Sequence, residues 1–536
     1  MYLPIIVAVL SVVTATLLIV AVYPVYCQTF DEALHVAAGM EWIQLGRSTF
    51  NPITPPLVPI AVALGPYIDG SRLQGNSDPW VEGNAVLESE GHYQRTLILA
   101  RLGTLPFFLL ACFLLWHSSQ SYGLWQAALA VVFFAFCPLV LAHASLATVD
   151  MAFTALFLSA LLGFWHFLQS PKLSAAVLAG AMVGFAILSK LSALPYLVVC
   201  CVALYASEWH ASRTRITLKH IITGVLTCAF IIWAGYRFSI GPIYEVGHLT
   251  PVQSAYYEKL PGLLQRAAVF GGVPAPELFR GAARAFVLGA GKGALSYLFG
   301  ESYTGGRWYF FPVAIAVKTP IPLLVFAVVG VARALVRRKV RNMVLPLVGI
   351  AGPLLVAMLS KTNLGLRYIL VIYPFLAMMA AYAVAWLWHV GGAGTKRFTY
   401  RSATLILIVW NIVSCVRATP DFIPYFNEVA APYGSSILID SDFDWGQDLN
   451  RLSTVLQQQH IRSISIAYEG SADLKLLDVP VIRRLTPNDR PGGWMAVSEF
   501  LIRVFPEKYG WVDKYKPERI VGKTIRLYHF DMPPSG

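Results

Sequence analysis

The sequence predicts a mainly α fold: a polytopic membrane helical bundle of about eleven transmembrane helices, followed by a small extracytoplasmic α/β domain. Two observations carry this. Hydrophobic residues make up 57% of 536 positions and charged residues 13%, with a mean hydropathy of +0.60, a balance that places most of the chain in a bilayer. Near residue 419 the apolar windows give way to short β-type runs alternating with helical patterns. The expected division is 1–418 for the membrane domain, with large outer loops 26–96 and 238–308, and 419–536 for the α/β domain.

Residues 3–25 carry no charge and suffice to cross a bilayer. With no basic leader and no A-x-A site, they read as the first span rather than a cleaved signal. Further windows lie near 97–116, 124–142, 151–168, 175–189, 192–207, 220–237, 309–332, 343–360, 368–388 and 402–418. Lys190 and Pro195 interrupt 175–207, which is either one broken helix or two short ones.

Orientation follows from three short basic loops that fall on one side. They hold Arg213, Arg215 and Lys219; Arg333, Arg337, Arg338, Lys339 and Arg341; and Lys396, Arg397 and Arg401. That side is taken as cytoplasmic, with the N-terminus. The opposite, periplasmic or extracellular side receives loop 26–96, with eight acidic and three basic residues, and the C-terminus. The net charge of +12 is no nucleic-acid signal: residues 419–536 contain 13 Lys/Arg against 15 Asp/Glu, so the surplus sits in the membrane body. The basic clusters suit anionic lipid headgroups. Seven cysteines without C-x-x-C give no metal or disulfide framework.

In the C-terminal part, SILID, SISIAYE, VIRRL and KTIRLYHF read as strands, with DLNRLSTVLQQQ and AVSEFLIRVF as helices. DSDFDWGQDL resembles a calcium loop until position six, which is Trp445, and position twelve, which is Arg451. A turn in which Asp444 caps the following helix explains it better. Trp445 could stack on a sugar or peptide acceptor.

The residues able to do chemistry gather at the outer face. Asp31 and Glu32 directly follow the first span, where carboxylates are costly unless paired, hydrated or used. If 30–46 is a helix, His35 lies one turn beyond Asp31 on the same face, with Gly39 below. Asp31 there could serve as general base toward a hydroxyl or amine, or simply cap the helix. Asp150 stands where spans three and four meet, as site residue or as cap, with His143 nearby. Pro52, Pro55, Pro56 and Pro59 make 51–59 a rigid extended turn, part of a lid or of a stiff loop. Lys318, inside WYFFPVAIAVKTPIPLLVF, is no ordinary anchor and suits a lipid phosphate. Lys190, Arg307 and Arg367 are the other cations of that face, with snorkelling as the plain explanation for the last two.

Asp31-Glu32, Pro55-Pro56-Leu57 and Asp150 together resemble the GT-C glycosyltransferases. The likeness is to bacterial family 39, of the protein O-mannosyltransferase and aminoarabinose-transferase type. GGRWYFFPVAIAVKTPIPLL, NLGLRYILVIYPFLA and YFNEVAAPYGSSILIDSDFDWGQDLNRL are similar to the bacterial phospholipid carrier-dependent glycosyltransferases. The resemblance implies an inverting hexosyl- or pentosyltransferase that takes sugar from a polyprenyl-phosphate donor and passes it to a protein hydroxyl, lipid or glycan. It implies Asp31 as acceptor-side base or metal contact, with Glu32 and Asp150 as its acidic companions; Lys318, Arg367, Lys190 and Arg307 are the candidates for the donor phosphate by their position rather than by a motif. His35, Pro55 and Pro56 would be acceptor or loop contacts. No cofactor is certain; a divalent Mg²⁺ or Mn²⁺ would lie at Asp31 and Asp150. Thr54 stands where relatives often have His. The alternatives are a lipid or sugar transporter or flippase, against which the lack of a repeat and of midplane polar residues argues, and a scaffold displaying the external domain.

Overall fold

The computed structural model describes residues 2–212, 216–243, 271–291, 293–336, 340–390, 395–477, 481–487 and 489–534. The orientation residues Arg213, Arg215, Arg337, Arg338 and Lys339, and 244–270 of the second outer loop, lie outside them.

The membrane part opens with α1 (Leu3–Val22), α2 (Glu32–Leu45), α3 (Leu57–Ile68), α4 (Pro79–Glu88), α5 (Tyr93–Leu102) and α6 (Leu105–Ser119). Then follow α7 (Leu124–Ala135), α8 (Pro138–Ala144), α9 (Asp150–Gln169), α10 (Leu173–Ser189), α11 (Ala193–Ser212) and α12 (Leu218–Gly235). Helices Phe310–Lys318, Ile321–Val336, Val340–Met358, Tyr373–Leu387 and Thr395–Arg417 complete the bundle. Among the described residues six helical stretches are long and apolar enough to cross a membrane, or seven with one bent pair. Helix α12 has no buried residue, and 28% of α1 is buried; both present apolar flanks outward, as lipid-facing helices do.

Three expected spans are broken. The window 124–142 bends by 67° between α7 and α8, where Pro138 starts a new helix because its ring cannot continue the old one. The window 309–332 breaks at Thr319-Pro320 for the same reason. Residues 175–207 form two helices, parted at Lys190, whose backbone is extended.

The loop 26–96 is largely helical, and its proline run is shorter than expected. The extended turn ends at Pro56, the N-cap of α3, and Pro59 falls in that helix's first turn, where a missing N–H costs little. Pro55 and Pro56 are buried in the packing rather than arching over the face as a lid. Helices α2 and α3 cross in close contact at Gly39, where a Cβ would stand 1.9 Å from the Pro59 carbonyl oxygen. Gly39→Ala is therefore expected to lower stability by about 1–3 kcal/mol through overpacking. Thermal unfolding in detergent checks this; an unchanged midpoint would show that the helices can part without cost.

After residue 419 the chain builds a five-stranded sheet in the order Val481–Arg484, Ser463–Ala467, Gly493–Ser498, Ile525–Phe530, Arg519–Val521. The first three strands run parallel and the last two pairings are antiparallel. Helix Leu449–Gln458 packs its apolar face, with Leu452 and Leu456, against this sheet. Two readings change. SILID is a helical turn at Gly434–Ile437 followed by a 3₁₀ turn at Asp440–Asp442, and the start of AVSEFLIRVF belongs to strand Gly493–Ser498. Asp444 does not cap the following helix. Its carboxylate accepts from Ser498 Oγ (2.8 Å) and Phe500 N (2.9 Å), capping helix Glu499–Val504 instead.

Hydrogen bonds tie the two parts together beside the first and tenth windows. Cys27 N donates to Gln447 O (2.9 Å) and Phe30 N to Trp445 O (3.0 Å). Leu366 N reaches the Asp442 carboxylate at 3.1 Å, and Ser441 Oγ donates to Leu364 O at 2.6 Å. Gly365, at φ 109°, lies so near Ser441 that any side chain there would meet its hydroxyl. The acidic loop 440–448 thus rests on the mouth of the bundle.

Candidate active site

Four charged side chains from four elements meet under that loop. Asp31 occupies the N-cap position of α2, but its side chain makes no capping bond. It turns away from the helix, and its Oδ2 accepts from Arg367 Nη1 at 2.6 Å. Asp150 stands at the first position of α9. Its Oδ1 accepts from Lys190 Nζ at 2.6 Å, and its Oδ2 lies 3.9 Å from Arg367 Nη1. Arg367 therefore stands between both acids, and Lys190 closes the group from the end of α10. The capping explanation fails for Asp31, because the carboxylate is used elsewhere.

Aromatic rings wall the cluster. The Arg367 guanidinium lies 4.3 Å from the Trp445 ring and 5.4 Å from Tyr368; Lys190 Nζ lies 4.8 Å from Tyr368. Such faces favour cations that burial has stripped of water. His143 sits behind Trp445, ring centroids 6.3 Å apart. His35 is buried one turn into α2. Burial pushes its imidazole below the ordinary value, with Arg367 and Lys190 acting the same way and Asp31 and Asp150 against it.

Asp150 Oδ2, Arg367 Nε, His35 Nδ1, His143 Nδ1 and Thr148 Oγ1 are all buried without a hydrogen-bond partner. Buried polar atoms are satisfied in the great majority of cases. Five such atoms lie on residues in or flanking one charged cluster.

The remaining expected residues lie elsewhere. Glu32 is fully buried and accepts from Arg101 Nε (2.8 Å) and Nη2 (2.9 Å), Ala147 N (2.8 Å) and Thr29 N (2.7 Å). It fixes the start of α2 rather than facing a ligand. Lys318 is also fully buried. Its ammonium donates to the carbonyls of Ile423 (2.7 Å) and Asp442 and lies 4.5 Å from the Phe426 ring. This cation is a strut between the bundle and the loop 440–448, which corrects its assignment to a phosphate. Arg307 is held by Glu301 at 2.7 Å and over Tyr303 at 4.1 Å, so it too is drawn away from the cluster. For a divalent metal the donors do not fit: the cations of Arg367 and Lys190 occupy the two carboxylates, and no group of three metal-binding side chains occurs among the described residues.

Arg101, Trp445 and Tyr368 were not foreseen in these roles. Arg101 had a signal, as a lone arginine within LILARLGTLPFFLL, and such residues are rarely idle. Tyr368 had none.

Known proteins resemble this chain in part of its sequence and in its fold. Residues 96–234 match the family model described as dolichyl-phosphate-mannose-protein mannosyltransferase. No curated protein matches the sequence. The structure of ArnT from Cupriavidus metallidurans bound to undecaprenyl phosphate is similar with a TM-score of 0.50 and 13% identity, over 97% of each chain. Its apo form gives 0.49 and 12% over the same shares. An Archaeoglobus fulgidus oligosaccharyltransferase tethered to an acceptor peptide gives 0.48 and 13%, over 96% of this chain and 72% of that one. The chain has the GT-C fold in its ArnT-like form, with the mannosyltransferase family match on residues 96–234 of its membrane part.

Proposed function

We propose that this protein is a membrane glycosyltransferase that moves a sugar from a polyprenyl-phosphate donor to an acceptor on the periplasmic or extracellular side of a bacterial inner membrane. The observation that carries the reading is the cluster Asp31, Asp150, Lys190 and Arg367, with its orphaned polar atoms, at the mouth of an apolar bundle. It offers cations for a phosphate and a carboxylate for an acceptor proton within one ring of aromatic walls. The protein mannosyltransferase match and the ArnT likeness support it.

In the step, the acceptor oxygen or nitrogen forms a bond to the anomeric carbon from the face opposite the leaving phosphate, so configuration inverts. Asp31 takes the acceptor's proton. The bond from the anomeric carbon to the phosphate oxygen breaks with its electron pair, and Arg367 and Lys190 stabilise that charge. Asp31 is tied to Arg367 at 2.6 Å, and a phosphate drawing on Arg367 would loosen that tie and free the carboxylate for the acceptor.

Incubating purified protein with polyprenyl-phosphate sugars and candidate acceptors tests the reading through the appearance of free polyprenyl phosphate. Arg367→Lys keeps the charge but loses the planar fork, and is expected to raise the donor KM about tenfold to a hundredfold, the worth of one or two charge-assisted hydrogen bonds. An unchanged KM would remove Arg367 from the donor site.

A further inference from the structure

We propose that Asp440, supplied by the C-terminal segment, receives the proton collected at Asp31 and passes it to solvent through a recess beside the cluster. The inference rests on the transfer reading above, because only a site that deprotonates its acceptor has a proton to dispose of.

The geometry begins with the backbone. Asp440 has φ 57°, a left-handed conformation that places it at the head of the 3₁₀ turn 440–442. That turn is bolted to the segment carrying Arg367 by the bonds from Ser441 to Leu364 O and from Leu366 N to the Asp442 carboxylate. The Asp440 carboxylate accepts from Ser441 N at 2.6 Å and is half-buried. It borders a narrow recess with Tyr297, Asn363, Gly365 and Phe500 on the other walls. The free space there, about 10 Å³, is that of roughly one water molecule.

The groups acting on Asp440 come from every side. Arg367 attracts its ionised form, Asp31 and Asp442 oppose it, and Tyr368 lies within range of its charge. Tyr297 shares the recess. Burial outweighs the arginine and pushes the carboxyl up to about 7. A carboxyl in that range both gains and sheds a proton at neutral pH, as a relay must.

The balance is simple. The acceptor's proton goes to Asp31 as the new glycosidic bond forms and the phosphate leaves with the old bond's electrons. Before the next turnover that proton must depart, so that Asp31 is again an anion beside Arg367. Asp440, on the same loop as Trp445 and next to a water-sized opening, is placed to take it.

Asp440→Asn is the suitable probe, since asparagine tolerates positive φ and keeps the turn while removing the titratable group. The wild-type steady-state rate is expected to rise through about pH 7. In D440N that inflection disappears and turnover falls about tenfold or more, while a single turnover with pre-bound donor keeps its wild-type rate. A small buffer base such as neutral imidazole should restore steady turnover in D440N. A variant with the wild-type pH profile, or one that loses the single turnover as well, would overturn the relay. A wild-type protein that cleaves no donor overturns the transfer reading itself, and this inference with it.

Discussion

Asp31→Asn is expected to lower sugar transfer by about 10²- to 10⁴-fold, the usual contribution of a positioned general base, with the protein still folded and inserted. The folding half of that expectation follows from the geometry. The Asp31 side chain caps nothing, and its ion pair with Arg367 is partly open to solvent, with side-chain exposures of 23% and 11%. An amide still accepts one hydrogen bond from the guanidinium, so the loss to the fold is small. The catalytic half follows from the proton: an amide cannot take one. Donor affinity in D31N should equal or exceed the wild type, because Arg367 is released from its ion pair with the Asp31 carboxylate. The split between a lost kcat and a retained KM is therefore the signature, measured by steady-state kinetics beside a thermal melt. Near-normal kcat would end the assignment.

The second large effect concerns folding rather than chemistry. Arg101→Leu is expected to destabilise the protein by roughly 3–5 kcal/mol, the cost of breaking a buried ion pair, and little should accumulate in membranes. Arg101 and Glu32 are both fully buried. Besides Glu32, the guanidinium donates to the carbonyls of Tyr23 (2.8 Å), Tyr26 (3.0 Å) and Cys27 (2.9 Å). One side chain thus satisfies three carbonyls of the turn that follows α1 and leads into the loop that carries Asp31. Without it, Glu32 is left as a buried charge. Removing both charges in the double variant Glu32→Leu/Arg101→Leu should recover part of the yield, since the stranded anion is gone. Equal yields for the single variant and the wild type would contradict this.

The same pair sets a pH dependence. Burial alone would raise the Glu32 carboxyl, but the Arg101 charge and hydrogen bonds hold it below its ordinary value, helped by Ala147 N and Thr29 N. A carboxyl lower in the folded than in the unfolded state contributes stability above its unfolded value, and loses it as pH falls toward the folded one. Stability in detergent should therefore decline on acidification below about pH 4.5, and the decline should be smaller in the double variant.

Much of this was legible in the sequence, and the failures have physical causes. Asp31 and Asp150 stood out because charge beside apolar spans demands a reason, and the structure brings them to one arginine. Lys190 and Arg367 were expected on one face with these acids, and the structure pairs them; which acid each meets depends on the packing of α9, α10 and the 366–372 turn, which no local pattern records. Lys318 misled for an instructive reason. A lysine within a span calls for oxygen partners, and the main chain of residues 423 and 442 supplied them from more than a hundred positions away. Glu32 and Asp31 look equivalent as neighbours in sequence, yet the start of a helix sends one inward to Arg101 and the other out to the cluster. The broken spans at Pro138 and Pro320 were readable from proline alone. The role of loop 440–448 was hidden, because its acids lie far from the first span and their fit over Arg367 is tertiary.

The most direct test is a stereochemical one. Purified protein in lipid, given a polyprenyl-phosphate sugar and an acceptor, should release one polyprenyl phosphate for each sugar transferred, with the anomeric configuration inverted, and Asp31→Asn should do neither. Movement of the intact lipid across the bilayer with the sugar still attached, or release that is indifferent to Asp31, would contradict the account.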